Sequence, residues 1–264
     1  MSGDSRPTEG AAPEERFDLG GRRALVTGGS RGLGRAIAFG LAGAGAEVAI
    51  VARRIDAVRA TAAEIEAVTG RRAVGFAADA GRWEELEPLV DEVYGVLGSV
   101  DVLVNNAGKS PLYPSVEGID EGYWDAVVGL NLKGPFRLAA LVGTRMAGGE
   151  GGSIINVSSV AAAHPRPDSI PYAAAKAGLE AVTVGLAHTW GPTVRVNAIA
   201  PGTFLTDVSR AWDMEAFGRA AERFASRRGG APEEIVGAAL YLASDAAGYT
   251  TGSVLTVDGG YLPD

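Results

Sequence analysis

Short apolar runs alternate with longer stretches of helical periodicity along most of the chain. Seven short runs are predicted to be β-strands, at residues 24–26, 48–51, 73–77, 102–104, 153–157, 194–199 and 254–256. Six longer stretches are predicted to be helices, at residues 33–44, 57–68, 84–97, 124–146, 172–189 and 233–242. Such alternation indicates βαβ units, and nearly continuous apolar strands indicate a sheet covered on both faces. The pattern therefore predicts an α/β protein with a seven-stranded parallel sheet and helices on both faces.

Two segments depart from this regular alternation. Residues 1–17 are polar and charged and include Pro7 and Pro13, so we expect a disordered leader before a single domain of residues 18–264. The segment 203–230 lies between a strand and the last helix, and its apolar residues among charges are Phe204, Trp212, Met214, Phe217 and Phe224. We expect this insertion to form an apolar lid over a substrate. The alternative is a helix pair packed on its own core or on a neighbouring subunit.

Composition narrows the classes of function. The net charge of −8 argues against a nucleic-acid or anionic-membrane surface, because both need clustered positive charge. Cysteine is absent, and His164 and His188 are the only histidines, so we expect no metal site. Residues 1–16 contain no apolar core long enough for a signal peptide and no apolar run reaches membrane-spanning length, so we expect neither a signal peptide nor a membrane span. A cytoplasmic protein that acts on a small molecule is the expectation.

A glycine-rich turn joins the first predicted strand to the first helix. It reads Thr27-Gly28-Gly29-Ser30-Arg31-Gly32-Leu33-Gly34. Glycine lets the backbone approach a diphosphate closely, and the free amides and dipole of a helix N-terminus favour its negative charge. We therefore expect a dinucleotide cofactor to contact this turn through Gly28, Ser30, Arg31, Gly32, Leu33 and Gly34. The alternative is an ordinary turn with close helix packing.

The end of the second strand indicates which dinucleotide fits. An acidic residue there would bind the ribose 2′-hydroxyl and repel a 2′-phosphate, but this sequence has Ala52 followed by Arg53 and Arg54. Arginine binds phosphate bidentately and stays charged, so Arg53, assisted by Arg31, is predicted to hold a 2′-phosphate. The cofactor is therefore predicted to be NADP(H). The alternative is a pair of arginines that caps a surface turn.

A serine, a tyrosine and a lysine have the spacing of an acid/base site. Tyr172 and Lys176 are four residues apart, which places both side chains on one face of a helix. A nearby ammonium is expected to lower the pKa of the phenol, which then exchanges a proton with a carbonyl or alcohol oxygen. Ser159 ends a predicted strand and is expected to bind the same oxygen. Asn131 is a polar residue inside a predicted helix, where asparagine is mildly unfavourable. It is either a functional residue or an exposed amide in the middle of the helix.

Together these residues resemble one family, the classical short-chain dehydrogenases/reductases. The resemblance extends from about residue 22 to residue 260. It rests on the glycine turn, Asn105-Asn106-Ala107-Gly108, Asn131, Ser159, Tyr172-x-x-x-Lys176, Pro201-Gly202 and Val257-Asp258-Gly259-Gly260. The family implies a single-domain Rossmann-type doubly wound fold. It also implies hydride transfer between a nicotinamide and a ketone or secondary alcohol, and a homotetramer or homodimer formed through the long helices.

The resemblance also implies roles for individual residues. The catalytic residues would be Asn131, Ser159, Tyr172 and Lys176, with Tyr172 as the acid/base, Lys176 on the nicotinamide ribose and Asn131 anchoring a water. Further cofactor contacts would come from Asp79 at the adenine, Asn106 at the adenosine ribose, and Ala107, Gly108, Pro201, Gly202, Phe204 and Thr206 around the rest of the dinucleotide.

Two departures from the family pattern fall where substrate specificity is set. Residues 190–195 are shorter than the common form, and residues 164–168 are more polar than usual. His164, Arg166 and Asp168 are either readers of a polar or carboxylated substrate or part of a solvated loop. Arginines at 219, 223, 227 and 228 are compatible with an acidic carrier protein, as for a 3-oxoacyl thioester reductase, or with a solvated face. Reductases of cyclic ketones, steroids or sugars, a silent NADP(H)-binding sensor or scaffold, and a lyase or epimerase are further alternatives.

Overall fold

The computed structural model describes residues 13–207, 209 and 213–261 and contains a seven-stranded parallel sheet. The strands are β1 Arg23–Thr27, β2 Glu47–Ala52, β3 Ala73–Ala77, β4 Val102–Asn105, β5 Gly152–Val157, β6 Val194–Pro201 and β7 Val254–Val257, in the order β3-β2-β1-β4-β5-β6-β7. The helices are α1 Gly32–Gly43, α2 Ile55–Thr69, α3 Trp83–Leu97, α4 Glu121–Val128, α5 Gly134–Ala147, α6 Ile170–Trp190, α7 Met214–Ala221 and α8 Val236–Ala243. The predicted fold class is confirmed.

The central strands β1, β2, β4, β5 and β6 are buried on both faces, as the apolar runs predict, whereas the edge strands β3 and β7 are partly exposed. Val26 of β1 packs with α1, α2 and α8, whereas the adjacent Leu25 packs with α3, α5 and α6 on the opposite face. Alternate side chains of a strand point to opposite faces, so two apolar surfaces are covered by two layers of helices. Burying each large aliphatic side chain contributes roughly 1.5–3 kcal/mol. The strand order reverses between β3-β2-β1 and β4-β5-β6-β7, which opens a crevice at the carboxyl ends of β1 and β4.

The predicted helix at residues 124–146 is not continuous. A π-helical turn at Gly129–Lys133 separates α4 from α5. Gly134 packs closely on the loop that follows β3. A Cβ at Gly134 would lie 1.8 Å from the carbonyl oxygen of Ala80 in that loop. A π-turn adds one residue to the helical repeat and redirects the side chains within it. Asn131 lies within this turn.

A buried chain of polar groups connects β4, β5 and α6. Asn105 and Asn156 are register partners in the adjacent strands, and Asn105 Nδ2 donates to Asn156 Oδ1 at 2.9 Å. Asn156 Nδ2 in turn donates to Thr183 Oγ1 at 2.9 Å. Buried amides are stable in a core when their donors are paired in this way. The chain ties α6 to the sheet just below the edge where the polar motifs converge.

Short 3₁₀ turns complete the described part of the fold. Pro13–Phe17 forms such a turn at the end of the predicted leader, and residues 1–12 of that leader lie outside the described residues. The last predicted helix begins as a 3₁₀ turn at Pro232–Ile235 before continuing as α8. In the described part of the chain, no helix combines the length and apolar character needed to cross a bilayer.

Candidate active site

The glycine turn lies between β1 and α1, at the crevice of the sheet. The backbone N–H of Gly28 donates to the carbonyl of Val51 at 2.7 Å, which brings the turn against β2. Arg31, the residue before α1, makes no side-chain capping hydrogen bond to the helix. The first amides of a helix have no intrahelical acceptor, so the amides at the start of α1 are suited to bind an anion.

The turn requires glycine at two positions for steric reasons. Gly28 has a φ of +66°, and a Cβ there would lie 2.7 Å from Asn106 Nδ2. A Cβ on Gly34 would lie 2.4 Å from the carbonyl oxygen of Gly28. Asn106 braces this arrangement by donating its Nδ2 to the carbonyl of Thr27 at 2.9 Å, and the Ala107 amide donates to Thr27 Oγ1 at 3.0 Å. The residues present therefore fit a dinucleotide whose diphosphate lies against the backbone.

A cavity of about 280 Å³ lies at the carboxyl ends of β2 and β3. Arg53 is exposed on this cavity together with Asp79, whose carboxylate accepts a hydrogen bond from the Gly81 amide at 3.0 Å. Arg82 and Glu85 also line it and form an ion pair at 3.5 Å. The sequence interpretation did not include these two residues. Their position around the start of the helix that follows a predicted strand was the available signal, because the carboxyl ends of parallel strands meet at one edge.

Arg31 has an ion-pair partner that the sequence did not indicate. Its guanidinium lies 3.2 Å from the carboxylate of Asp207, and both side chains are largely exposed. Thr206 lies beside the same turn, with its Cγ2 3.5 Å from where a Cβ on Gly32 would be. The start of the insertion therefore contacts the predicted phosphate turn. Whether Arg31 also binds a 2′-phosphate, as expected from the sequence, stays a prediction.

The remaining predicted cofactor residues fall into two groups. Ser30 and Leu33 are half-buried on the glycine turn itself. Pro201 ends β6, and the amide of Gly202 donates to the carbonyl of Val257 at 2.9 Å. The Phe204 side chain is buried in the core, where its ring excludes a Cβ at Gly230. It also borders a second cavity of about 240 Å³ between β7 and the insertion.

Ser159, Tyr172 and Lys176 converge at the carboxyl end of β5. Ser159 follows this strand, and its side chain forms a hydrogen bond with Tyr172 in the first turn of α6. Lys176 Nζ donates to the carbonyl of Val157 at 2.7 Å and lies 5.7 Å from the centre of the Tyr172 ring. The spacing of four residues therefore places the lysine below the phenol, as the helix geometry requires.

Burial dominates the electrostatics of this group. It raises the pKa of Tyr172, an effect that the hydrogen bond from Ser159 opposes. Burial also lowers the pKa of Lys176 from 10.5 to about 8, since the side chain is only 2% exposed. The sequence argument expected Lys176 to lower the pKa of Tyr172, and the direction in this structure is the opposite. The ammonium is directed to the Val157 carbonyl, and the loss of solvent around the phenol has the larger effect.

Asn131 is buried in the π-turn and faces the same group. Its Nδ2 donates to the carbonyls of Lys109 and Val127, both at 2.9 Å, and its Oδ1 accepts from the Lys109 amide at 3.3 Å. A Cβ on Gly108 would lie 2.8 Å from Asn131 Oδ1 and 3.5 Å from Lys176 Nζ. The alternative of an exposed amide is therefore wrong. The loop after β4 thus passes between Asn131 and Lys176.

Two polar loops border the open side of this group. In the loop before α6, Arg166 Nε lies 3.5 Å from Asp168 Oδ1, and the His164 ring lies 6.2 Å from the Tyr261 ring. Tyr261 also contacts Phe224 of the insertion, with ring centres 5.5 Å apart. The sequence interpretation missed Tyr113, in the loop after β4, whose hydroxyl bonds to the loop before α6. Trp212 lies outside the described residues.

Among the described residues, no group of three or more His, Asp or Glu side chains is arranged to hold a metal ion. The polar groups gathered beside the first turns of α6 are the serine, phenol, ammonium and amide described above. A hydroxyl donor beside a phenol is suited to bind and protonate a carbonyl oxygen.

Comparison with known proteins gives consistent matches. A family model described as enoyl-(acyl carrier protein) reductase matches residues 28–262. D-threitol dehydrogenase of Mycolicibacterium smegmatis is 38% identical over 93% of this chain and 94% of its own length. A proposed short-chain alcohol dehydrogenase from Sinorhizobium meliloti is 44% identical, with a TM-score of 0.89 over 93% of this chain and 98% of that one. A gluconate 5-dehydrogenase from Burkholderia cenocepacia, solved with NADP and tartrate, is 35% identical. Its TM-score is 0.89, and the match covers 94% of this chain and 98% of that one.

The fold and these matches define an oxidoreductase that acts on alcohol or carbonyl groups. The chain belongs to the classical short-chain dehydrogenase/reductase family, as its motifs predicted.

Proposed function

We propose that this protein uses NADP(H) to interconvert a ketone and a secondary alcohol, with Tyr172 as the acid/base. The observation that carries the proposal is the hydrogen-bonded pair of Ser159 and Tyr172 above a buried Lys176, at the edge of the sheet that also holds the glycine turn. A bound nicotinamide supplies or accepts the hydride. The chain provides the proton at the Tyr172 hydroxyl and a positioning hydrogen bond from Ser159.

Each residue of the group then has a defined task. The Ser159 hydroxyl binds the substrate oxygen and keeps it within reach of Tyr172. In the reducing direction the phenol gives its proton to that oxygen, and in the oxidising direction it takes the proton back. The Lys176 ammonium has three donors, of which one binds the Val157 carbonyl, and the others serve the ribose and the phenolate. Asn131 holds the Lys109 backbone, and we infer that it also anchors a water in the proton path.

The NADP(H) preference is supported by Arg53 and by the absence of an acidic residue at Ala52. Arg53 faces a cavity at the end of β2 that also contains Asp79, the proposed adenine contact. The gluconate 5-dehydrogenase relative was solved with NADP, although NAD-dependent relatives also occur. A charge-assisted hydrogen bond contributes about 1.5–3 kcal/mol, or roughly 10–100-fold in affinity. Arg53→Ala is therefore expected to weaken NADPH binding by roughly that factor and NADH binding little.

Arg54 offers a matched control for this test. It is the next residue, is also exposed and does not line the cavity. Arg54→Ala should leave the dissociation constants of both cofactors within about twofold, as measured by the fluorescence of the reduced nicotinamide. Equal losses of affinity for NADPH and for NADH in the Arg53→Ala variant would remove the 2′-phosphate contact from the proposal.

We infer that the substrate is a small polyhydroxylated ketone or sugar acid. The loop beside Tyr172 presents His164, Arg166 and Asp168, which suit hydroxyl or carboxylate groups better than a long acyl chain. D-threitol dehydrogenase and gluconate 5-dehydrogenase are among the relatives. The second candidate is a 3-oxoacyl thioester, favoured by the family model described for an acyl-carrier-protein substrate and by exposed Arg219 on α7.

The insertion is proposed to close over that substrate. Its described residues include Phe217 and Phe224, whose ring centres are 6.5 Å apart. The amides of Ala225 and Ser226 donate to the carbonyls of Gly260 and Gly259, at 3.0 and 2.9 Å. These bonds fix one end of the insertion to the residues after β7. They support a domain of residues 18–264 in which 203–230 forms the lid.

The decisive experiment is turnover of NADPH and NADH with a panel of substrates. The panel contains a keto-gluconate, a tetrose ketone, an acetoacetyl thioester and a cyclic ketone, each assayed with the wild type and with Tyr172→Phe. We expect reduction of a hydroxylated ketone with NADPH preferred, and loss of turnover without loss of cofactor binding in the variant. Retained turnover in Tyr172→Phe would remove the tyrosine from the mechanism. Tight NADPH binding without turnover of any ketone would favour the alternative of a catalytically silent NADP(H)-binding sensor or scaffold.

We infer that the protein assembles as a homotetramer through its long helices. Large apolar side chains are exposed on α4, α5 and α6, namely Trp124 at 43%, Phe136 at 39% and Val184 at 41%. Large apolar side chains exposed on neighbouring helices, as on α4, α5 and α6, favour a contact surface between subunits. Light scattering after size exclusion should give four times the chain mass of 27.0 kDa. A monomeric mass would contradict the assembly, and a mass of two chains would support the homodimer.

A further inference from the structure

Tyr113 connects two loops that border the proposed substrate site. It lies in the loop between β4 and α4, and its hydroxyl donates to the carbonyl of Pro167 at 2.5 Å. The same oxygen accepts a hydrogen bond from the Ile170 amide at 3.1 Å. Pro167 belongs to the loop that carries His164 and Arg166. One hydroxyl therefore bonds to the loop before α6 and to α6 itself.

The second of these bonds caps the helix that carries the acid/base. Ile170 is the first residue of α6, and Ser169 before it makes no side-chain capping bond. The amides of the first turn lack intrahelical acceptors, and Pro171 has no amide hydrogen, so a partner for Ile170 matters for how the helix begins. Tyr172 follows only two residues later. Tyr113 thus supplies from another loop the cap that the helix does not make with its own side chains.

The Tyr113 ring is also in contact with α4. Tyr123 on α4 packs edge-on against it, with ring centres 5.7 Å apart and an angle of 86°. The Tyr123 hydroxyl itself donates to the carbonyl of Pro111, within the same loop. Aromatic pairs of this geometry stabilise a defined ring orientation. The Tyr113 hydroxyl is therefore presented from a fixed position.

We propose that Tyr113 is a positioning residue for the reaction, because it fixes the loop 164–168 and the start of α6 relative to the loop after β4. It acts through Pro167 and Ile170 and does not touch the reacting atoms. The proposal rests on the proposed function, in which the substrate binds between these loops and Tyr172. Loss of the hydroxyl is expected to loosen substrate binding, while the glycine turn after β1 and the Arg53 cavity after β2, which bind most of the cofactor in the proposed function, stay in place.

The test compares Tyr113→Phe with Tyr123→Phe. Both variants keep an aromatic ring, but only the first removes the bonds to Pro167 and Ile170. Two neutral hydrogen bonds together contribute about 1–3 kcal/mol, which corresponds to roughly a 5- to 150-fold change in an affinity. We expect KM of the substrate to rise about tenfold in Tyr113→Phe, with kcat changed less than threefold and the NADPH dissociation constant unchanged. Tyr123→Phe should stay within about twofold of the wild type in all three.

Hydrogen exchange separates this proposal from the proposed function. The Ile170 amide should exchange faster in Tyr113→Phe than in the wild type or in Tyr123→Phe, whether or not a substrate has been found. Unchanged exchange at Ile170 would overturn the proposal. An equal rise of KM in both tyrosine variants, or a parallel loss of NADPH affinity, would also overturn it, since either result indicates general loosening.

Discussion

Lys176 is predicted to reduce the stability of the folded protein at neutral pH. Its pKa falls from 10.5 to about 8 on burial. At pH values below 8 this shift lowers the free energy of unfolding by about 3 kcal/mol. The protonated side chain therefore opposes folding below pH 8. Replacement by methionine, which is also unbranched, removes this cost but leaves the Val157 carbonyl without its donor, at about 1 kcal/mol. Lys176→Met should then stabilise the protein by about 2 kcal/mol at pH 7.

The pH dependence of this gain has a defined sign. Between pH 8 and 10.5 the unfolded state binds more protons at this lysine than the folded state, so the stability of the wild type rises with pH. At pH 10 most of the advantage of methionine should therefore be lost. The variant should also lose turnover, because the ammonium beside Tyr172 is gone.

Urea unfolding followed by tryptophan fluorescence measures the effect at pH 7 and pH 10, at matched protein concentration. At pH 7 a gain of 2 kcal/mol corresponds to a melting temperature higher by about 4–8 °C. Lys133→Met is the control, since Lys133 is exposed and its removal should change stability by less than about 0.5 kcal/mol. A destabilised Lys176→Met at pH 7, or a gain that is the same at both pH values, would refute the reasoning.

Three further predictions follow from the site and its supports. Gly134→Ala should destabilise the protein by roughly 3 kcal/mol or more, because its Cβ would lie 1.8 Å from the Ala80 carbonyl oxygen, whereas Gly218→Ala has open space and should be neutral in the same urea titration. Asp207→Asn should improve NADPH binding more than NADH binding, by release of Arg31; equal changes in the two dissociation constants would argue against a contact between Arg31 and the 2′-phosphate. Ser159→Ala should raise the pKa of Tyr172 further and move the onset of alcohol oxidation to higher pH, and an unshifted profile of kcat against pH would contradict this.

Local patterns in the sequence predicted the sheet but not the interruptions of its helices. All seven strands lie within two residues of their predicted ends, because short and nearly continuous apolar runs mark them. The π-turn around Asn131 was not predicted, since it depends on the close approach of Gly134 to a distant loop. The turn stays helical and adds only one residue, so the sequence pattern on its two sides reads as one helix.

Within the candidate site, residue types were predictable and pairings were not. The spacing of Tyr172 and Lys176 correctly placed both on one face of a helix. It did not show that the ammonium is directed to the Val157 carbonyl or that burial raises the pKa of the phenol. The partner of Arg31 is 176 residues away, and Tyr113 bonds to residues more than 50 positions further on. Contacts of that range leave no local pattern in a single sequence.

The paired amides of Asn105 and Asn156 have a consequence for how the sheet assembles. Apolar side chains on neighbouring strands are nearly interchangeable, so a shift of β5 along β4 would cost little in burial alone. A shift by one residue would turn the Asn156 side chain to the other face and leave both amides buried without each other. The pair thus specifies the register of the two strands, as a single buried asparagine specifies the register of a coiled coil. The register of β4 and β5 also sets the position of Ser159, which follows β5, relative to the loop after β4 that contacts Asn131.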